Sequence, residues 1–118
     1  MGKIRGKSAI ESQIKMLNLA KEIVEKVSEE LPQLTEVYIF GSRARGDYLD
    51  TSDIDLLFVF KGIKGLSAFE KMNLVSKYIK GNVDYIVVDE EEKDRIKEKK
   101  LFWKRDYGFI DCNELLES

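Results

Sequence analysis

The chain is organised around residues 37–60, which read VYIFGSRARGDYLDTSDIDLLFVF. A first apolar run ends at Gly41, a short polar loop follows, and a second apolar run starts close to Asp53 and Asp55. Because side chains alternate between the two faces of a strand, these two carboxylates are predicted to point the same way. Adjacent carboxylates repel each other and are hard oxygen ligands, so the pair predicts a site for a divalent cation such as Mg²⁺.

The turn at Gly41 and Ser42 is predicted to bind phosphate. It offers backbone N–H groups and a hydroxyl, and it leads into a predicted helical turn at 42–47, whose N-terminus favours anions. Glycine is needed where the backbone must approach a phosphate closely. A phosphate-binding turn beside a carboxylate pair is typical of a nucleoside triphosphate site. The alternatives are a plain turn and a solvated pair of carboxylates at the mouth of a strand.

A third carboxylate, Asp84, is the only acidic residue inside the apolar run 83–88. Burying a carboxylate without a partner is costly, so Asp84 is predicted to share the cation held by Asp53 and Asp55. The alternative is a salt-bridged strand residue. Asp89 follows at the end of the run and is predicted to cap the next helix.

Composition predicts one domain spanning residues 1–118, with residues 1–7 frayed. The net charge of −2 gives no basic excess for nonspecific binding of nucleic acid. The chain has no histidine, which excludes imidazole metal sites and catalysis by Ser-His or Cys-His pairs. No apolar run is long enough to span a membrane, and the N-terminus does not resemble a signal peptide. The single cysteine, Cys112, cannot form an internal disulfide, which suits a cytoplasmic protein, and no basic neighbour marks it as reactive.

Hydrophobic periodicity predicts the order helix, strand, strand, helix, strand, helix, which is an α/β arrangement with one small mixed sheet. The first helix is predicted to start at a capping box of Ser8 and Glu11, to carry an apolar stripe that includes Ile10 and Ile14, and to end near Pro32. The predicted elements that follow are strands at 37–40, 54–60 and 83–88, a helix at 66–80 capped by Gly81, and a helix at 89–100. The strand at 54–60 is predicted to be central because it is apolar at almost every position. The aromatic segment 101–110 receives no assignment.

The central motif resembles the signature of the DNA polymerase β-like nucleotidyltransferases, and above all that of the small members called minimal nucleotidyltransferases. The matching residues are Gly41, Ser42, Arg43, Arg45, Gly46, Ser52, Asp53 and Asp55. The resemblance implies the nucleotidyltransferase palm, an α/β (α+β) fold with helices packed on one face of a small mixed sheet. In that palm the first two motif strands are antiparallel neighbours.

The resemblance also implies transfer of a nucleoside monophosphate, AMP from ATP, to a hydroxyl. Two Mg²⁺ ions would be held by Asp53 and Asp55, and Asp84 would complete the catalytic one. Four residues would bind the nucleotide: Gly41, Ser42, Arg43 and Arg45. Both arginines have the alternative of an ordinary surface position, and Ser52 is predicted to orient the loop through backbone hydrogen bonds.

Minimal nucleotidyltransferases commonly pair with a helical HEPN-type toxin. The resemblance therefore implies an antitoxin that transfers AMP onto this partner. A homodimer of this chain is a second possible assembly. Two alternatives remain, a module that neutralises its partner by contact alone and an enzyme acting on a small molecule or nucleic acid. The basic residues near the C-terminus are predicted to form a solvated face: Lys97, Lys99, Lys100, Lys104 and Arg105. The nearby aromatic residues are predicted to lie in the core or on a partner-binding surface: Phe102, Trp103, Tyr107 and Phe109.

Overall fold

A single mixed sheet forms the centre of the protein in a computed structural model that describes residues 6–110. Its strands are β1 (Leu34–Phe40), β2 (Ile54–Phe60), β3 (Val83–Asp89), β4 (Lys99–Lys104) and β5 (Gly108–Phe109). Their order across the sheet is β3-β2-β1-β4-β5. Strands β2 and β3 are parallel, and the other neighbours are antiparallel. The mixed sheet and the antiparallel pairing of β1 with β2 confirm the predicted architecture.

Three α-helices and two 3₁₀ segments complete the described part of the chain. They are α1 (Lys7–Glu30), α2 (Ser42–Arg45), α3 (Ala68–Asn73), and 3₁₀ helices at Ser76–Tyr78 and Glu90–Arg95. The core lies between α1 and one face of the sheet. Six residues of α1 enter it at helical spacing: Met16, Leu17, Ala20, Ile23, Val24 and Val27. This confirms an amphipathic first helix that covers the core.

Strand β2 is buried on both faces, as its continuous apolar sequence predicted. Leu56 and Phe58 join the core under α1, whereas Leu57 and Val59 form a smaller cluster on the opposite face. Ile96, which follows the second 3₁₀ helix, packs against this smaller cluster. Residues of β2 therefore alternate between two apolar layers, which fixes the register of the strand and the face on which each polar residue of β2 lies.

The predicted start of α1 is wrong. The helix begins at Lys7, and no side chain caps its first turn. Ser8 lies inside the helix, where its hydroxyl donates to Asp50 Oδ2 at 3.1 Å. Ile10 and Ile14 were predicted to be buried but are 37% and 43% exposed. The physical reason is length, since a helix of 24 residues spans about 36 Å and a strand of seven only about 23 Å. The predicted end is confirmed, because Leu31 follows the last helical residue.

The segment 66–80 forms two short helices, which corrects the prediction of one continuous helix. A capping box starts α3, in which Ser67 accepts from the backbone N–H of Glu70 and the Glu70 carboxylate accepts from the N–H of Ser67. Phe69, an apolar residue of α3, is 74% exposed. Gly81 is separated from the last helical residue by two residues, so it is not the predicted helix cap.

The predicted helix at 89–100 is also wrong. The 3₁₀ helix ends at Arg95, and β4 begins at Lys99 and pairs with β1. Asp89 caps the 3₁₀ helix through a capping box with Glu92, which confirms its predicted role. The assignment of β4 brings Phe102 and Trp103 into the core, in agreement with one of the two interpretations of the aromatic residues.

Arg105 was predicted to be part of a solvated face, and the structure corrects this. Its guanidinium donates to the carbonyl of Leu34 at 2.9 Å and to the carbonyls of Ser28 and Leu31 at 3.2 Å each. The carbonyls in the last turn of a helix have no partners within that helix. Arg105 therefore fastens the end of β4 to the connection between α1 and β1.

Two stretches lie outside the described residues, 1–5 and 111–118, so the expectations for Cys112 and for most of the frayed N-terminus are not addressed. Among the helices of residues 6–110, none combines the length and the apolar character needed to cross a lipid bilayer.

Candidate active site

Strands β2 and β3 bring two of the predicted site carboxylates together. In their parallel register, Asp55 is directly opposite Asp84. Residues opposite each other on neighbouring strands project to the same face, so Asp84 lies on the same side of the sheet as Asp55. This placement agrees with the geometry that the sequence predicted, and the role of the residues as metal ligands stays a prediction.

Asp53 completes the group from the loop just before β2. It is exposed, whereas Asp55 is half-buried near the start of the strand. Burial, followed by the negative charges of Asp84 and Asp53, raises the pKa of Asp55, and the positive charge of Arg45 lowers it. The three carboxylates are therefore close enough to interact electrostatically, and ionised Asp55 is destabilised by its neighbours.

The donor set fits a divalent metal ion, because carboxylate oxygens are the ligands that Mg²⁺ prefers and a cation would relieve the repulsion at Asp55. Within residues 6–110, no three acidic or cysteine side chains are already arranged as the ligands of one ion. Binding of a metal would therefore require the three aspartates to rearrange.

Glycine is required at position 41 because the Asp55 carboxylate lies against its Cα atom. Its φ of +73° and ψ of −157° lie in a region that only glycine adopts readily. A Cβ atom at this position would overlap Asp55 Oδ2 and lie 3.0 Å from Asp55 Cγ. The sequence predicted a glycine for close approach of a phosphate, and the structure adds that the same glycine makes room for the Asp55 carboxylate.

Ser42 is the first residue of α2, which is one turn long. The carbonyl of Gly41 accepts hydrogen bonds from the N–H groups of Ala44 and Arg45 at 3.1 and 3.0 Å. The turn at Gly41 and Ser42 is thus held in a fixed conformation at the end of β1, next to Asp55. The predicted helical turn at 42–47 is present, though it is shorter by two residues.

Arg43 does not lie where the sequence predicted. Its side chain is buried, and its guanidinium donates to the carbonyl of Ser52 at 3.0 and 2.7 Å. It also donates to Gln13 Oε1 and Ser12 Oγ of α1, at 2.9 Å each. The ring of Tyr48 lies under the guanidinium, 4.8 Å away. Because these groups surround it, Arg43 in this structure is not placed to contact a nucleotide but links α1 to the loop that carries Asp53.

Arg45 projects from the opposite side of α2 and remains a candidate for nucleotide binding. It is exposed, and its Nε lies 3.3 Å from Asp47 Oδ2. It is also the positive charge that acts on Asp55. A surface ion pair of this kind is weak, so the guanidinium can exchange Asp47 for a phosphate.

The loop between α2 and β2 is ordered by its own polar groups. Ser52 Oγ accepts from the N–H of Leu49 at 2.8 Å, which confirms that Ser52 orients the loop. Ser12 Oγ donates to the carbonyl of Asp50 at 2.6 Å. Sequence reasoning missed the two α1 residues that hold this loop through Arg43. Gln13 carried a usable signal, because it lies three and four residues before the buried Met16 and Leu17 and so shares their face.

Comparison with known proteins agrees with this geometry. Residues 20–107 match the sequence model of the nucleotidyltransferase domain. The chain belongs to the nucleotidyltransferase domain family. The matched range includes every carboxylate and turn residue of the candidate site, so the resemblance inferred from the central motif is confirmed at the level of the family.

Three proteins similar to this nucleotidyltransferase support its membership of the family. Two are proteins of Methanocaldococcus jannaschii named "Putative protein adenylyltransferase", MJ0126 and MJ0141. The first is 36% identical over 77 residues, spanning 62% of this chain and 79% of the relative. The second is 34% identical over 67 residues, spanning 55% and 68%. A solved structure from Sulfolobus solfataricus, described as a "putative nucleotidyltransferase", is 71% identical and has a TM-score of 0.90 over 92% of this chain and 98% of that chain.

Proposed function

We propose that this nucleotidyltransferase transfers AMP from ATP to a hydroxyl group of another protein. The observation that carries the proposal is the register that sets Asp55 opposite Asp84, beside a turn in which only glycine fits at position 41. The names of the two Methanocaldococcus jannaschii relatives support a protein as the acceptor and AMP as the transferred group.

Asp53 and Asp55 would hold two Mg²⁺ ions, and Asp84 would complete the ligands of the catalytic one. When bound, the ions would supply charge neutralisation at the phosphates and activation of the attacking hydroxyl. Asp84 lies at the outer strand of the sheet, where its carboxylate would also accept a hydrogen bond from that hydroxyl. The Asp55 carboxylate packs against the backbone of Gly41.

The turn at Gly41 and Ser42 would position the phosphate chain of ATP. A new bond would form between the acceptor oxygen and the α-phosphorus, and the bond from the α-phosphorus to the bridging oxygen would break. Pyrophosphate would leave with the electron pair, and the proton of the acceptor would pass to the Asp84 carboxylate or to solvent. Positioning and electrostatic stabilisation would provide most of the rate enhancement.

The acceptor would be a HEPN-type toxin, which the transfer of AMP would inactivate. This part of the proposal rests on the resemblance to minimal nucleotidyltransferases.

The decisive experiment combines the protein with a HEPN-type partner, radiolabelled ATP and Mg²⁺. Wild type is expected to label the partner, and the variant with Asp53→Asn and Asp55→Asn is expected to lose the labelling. A matched control with Asp94→Asn and Asp106→Asn removes two exposed carboxylates elsewhere on the surface and is expected to retain it.

Three outcomes would contradict the proposal. Unchanged labelling by the Asp53 and Asp55 variant would show that these carboxylates are not required. If that variant neutralised the partner as well as wild type, contact alone would account for the antitoxin effect. If AMP appeared only on a small molecule or a nucleic acid in a screen without partner protein, the acceptor would be wrong.

A further inference from the structure

Strand β3 forms one edge of the sheet and pairs with β2 residue for residue from Val83 to Asp89. Between Asp84 and Asp89 its sequence is Tyr-Ile-Val-Val, with no proline and no charged residue. Edge strands of natural proteins usually carry such residues or a bulge, because a regular apolar edge pairs readily with other chains. The edge of β3 therefore has the properties of a surface to which another strand can be added.

The hydrogen bonds to β2 leave alternate residues of β3 facing outward. Ile54, at the start of β2, donates to the carbonyl of Asn82, which precedes β3. In a parallel ladder this phase directs the backbone groups of the even-numbered residues of β3 toward β2. The N–H and C=O groups of Tyr85 and Val87 therefore point away from β2, and these are the groups that an added strand would bond.

A groove of about 360 Å³ follows this edge between α3 and the second 3₁₀ helix. Ile86 and Val88 of β3 line it together with Ala68 and Met72 of α3. Ile86 is 36% exposed, and Phe69, three residues before Met72 and so its neighbour on α3, is 74% exposed. An added strand would pack apolar side chains against Ile86 and against α3.

The two ends of this edge differ in charge. At the start of β3, the carboxylate of Asp84 shares the candidate site with two others, so this end disfavours an acidic residue. At the other end of the groove, Glu92 accepts from Lys71 Nζ at 2.7 Å and lies 3.6 Å from Nη2 of Arg95. The two cations exceed the single carboxylate there, and the side chain of Arg95 is mostly exposed. This end therefore favours an acidic residue.

The spacing along β3 relates these features to the site. Asp84, Ile86 and Val88 follow each other at intervals of two residues, so they project to one face of the sheet, and about 13 Å separates the first from the last. The residues opposite them in an added strand would share this face.

We propose that the edge of β3 binds an extended segment of the acceptor protein as an added antiparallel strand. The residue opposite Asp84 carries the hydroxyl that receives AMP, the residue opposite Ile86 is apolar, and the residue opposite Val88 is acidic. From its N-terminus, the acceptor segment thus has an acidic, an apolar and a hydroxyl residue at every second position. The inference rests on the proposed function, because it takes Asp84 to face the acceptor.

The probe is the peptide acetyl-Lys-Glu-Val-Ile-Val-Tyr-Lys-amide, whose tyrosine, isoleucine and glutamate would lie opposite Asp84, Ile86 and Val88. Isothermal titration calorimetry without ATP measures its affinity for the full chain. A matched peptide is N-methylated at both valines and keeps every side chain. It should bind about 30-fold more weakly, because it lacks the two donors to the carbonyls of Tyr85 and Val87.

Variants of the protein test the side-chain contacts. Ile86→Lys should weaken binding of the peptide about tenfold, because it removes apolar contact area. The matched control Ile14→Lys replaces an isoleucine of α1 that is 43% exposed, and it should change the affinity less than twofold. Arg95→Glu should weaken binding about fivefold, and a peptide with lysine in place of glutamate should restore it.

Hydrogen exchange followed by NMR locates the bound peptide. The amides of Tyr85 and Val87 should exchange more slowly when the peptide is present. Failure of the unmethylated peptide to bind would overturn the inference, as would equal affinities of the two peptides or of Ile86→Lys and Ile14→Lys. Protection of the two amides by a rise in protein concentration alone would assign the edge to a second copy of this chain and would also overturn it.

Labelling with ATP and Mg²⁺ separates this inference from the proposed function. If the peptide binds at β3 with these dependences but neither it nor a protein receives AMP, the docking edge stands and the proposed transfer fails. If a HEPN-type partner is labelled equally well by Ile86→Lys and by Ile14→Lys, the proposed function stands and the docking edge fails.

Discussion

At the scale of single residues, the backbone conformation of Gly41 determines the space available to the Asp55 carboxylate. Gly41→Ala should force the Asp55 carboxylate out of place, since the new Cβ would overlap its Oδ2 atom. The expected losses are about 1–3 kcal/mol of unfolding free energy from backbone strain and about 100-fold in the rate of AMP transfer. Urea denaturation and initial rates measure the two effects.

Gly62→Ala is the matched control for this substitution. Gly62 also has a positive φ, +77°, but nothing lies within 4 Å of the position that a Cβ atom would take there. The control should lose stability from strain and keep its transfer activity. An equal loss of activity in both variants would mean that strain alone, rather than displacement of Asp55, impairs the enzyme.

Arg43 is predicted to act through the loop that it supports. Arg43→Lys keeps the charge but cannot reproduce the planar fork that reaches Ser52, Gln13 and Ser12. The buried acceptors left unpaired should cost about 2 kcal/mol. The turnover number should fall with little change in KM for ATP, because the arginine orders the loop before Asp53 and does not contact the nucleotide.

Arg45→Lys, two residues further along the same helix, is the control for folding. Arg45 is exposed, so this variant should change the free energy of unfolding by less than about 0.5 kcal/mol. If Arg43→Lys raised KM for ATP and kept the turnover number, Arg43 would contact the nucleotide, as the sequence first suggested.

At the scale of elements, the connection from β3 to the second 3₁₀ helix depends on Glu92. Its carboxylate accepts from Lys71 Nζ at 2.7 Å and from the N–H of Asp89 at 3.1 Å. The hydrogen bond from Lys71, followed by the one from Asp89, lowers the pKa of Glu92 below its ordinary value of 4.5. Lys71 is itself largely buried, so the pair fastens α3 to this connection.

The pH dependence of stability should report this contact. The pKa of Glu92 is lower in the folded than in the unfolded state. Ionised Glu92 therefore stabilises the fold at pH values above the pKa of the unfolded state, and this stabilisation is lost as the pH falls through the pKa of the folded state. Glu92→Gln should therefore be less stable than wild type at pH 7, and the difference should shrink below pH 4.5. Urea denaturation at several pH values measures it, with Glu91→Gln, at the surface pair with Lys64, as the control. A difference independent of pH would contradict the assignment.

Some elements were predicted better than others. The difference depends on whether the local sequence or a tertiary contact determines the element. Strand β2 was predicted with correct bounds because two apolar layers enclose it and its sequence is continuously apolar. Strand β4 was missed because it opens with two lysines, and its pairing with β1 and β5 makes it a strand. The tertiary contact overrides the local preference there.

At the scale of the whole molecule, the central motif predicted the fold family. The lone carboxylate in the apolar run 83–88 predicted that Asp84 lies beside Asp55, and the register of β2 and β3 agrees with this. The arginines of the motif could not be told apart in the same way. Arg43 and Arg45 occupy equivalent positions in the pattern, yet one is buried and the other exposed. The partners of Arg43 on α1 lie 30 and 31 residues away in the sequence, so no local pattern contains them.

The parallel register of β2 and β3 has a consequence for the balance between conformational stability and the proposed activity. Like charges directly opposite each other on adjacent strands destabilise a sheet, so the pairing of Asp55 with Asp84 is a weak point within the site itself. Asp84→Asn should raise the free energy of unfolding by about 0.5 kcal/mol and abolish AMP transfer, whereas Asp94→Asn should do neither. Calorimetric melting and labelling assays would follow both, and a less stable Asp84→Asn protein would count against this trade-off. Thermal resilience and catalytic competence would then be opposing demands on a single pair of side chains.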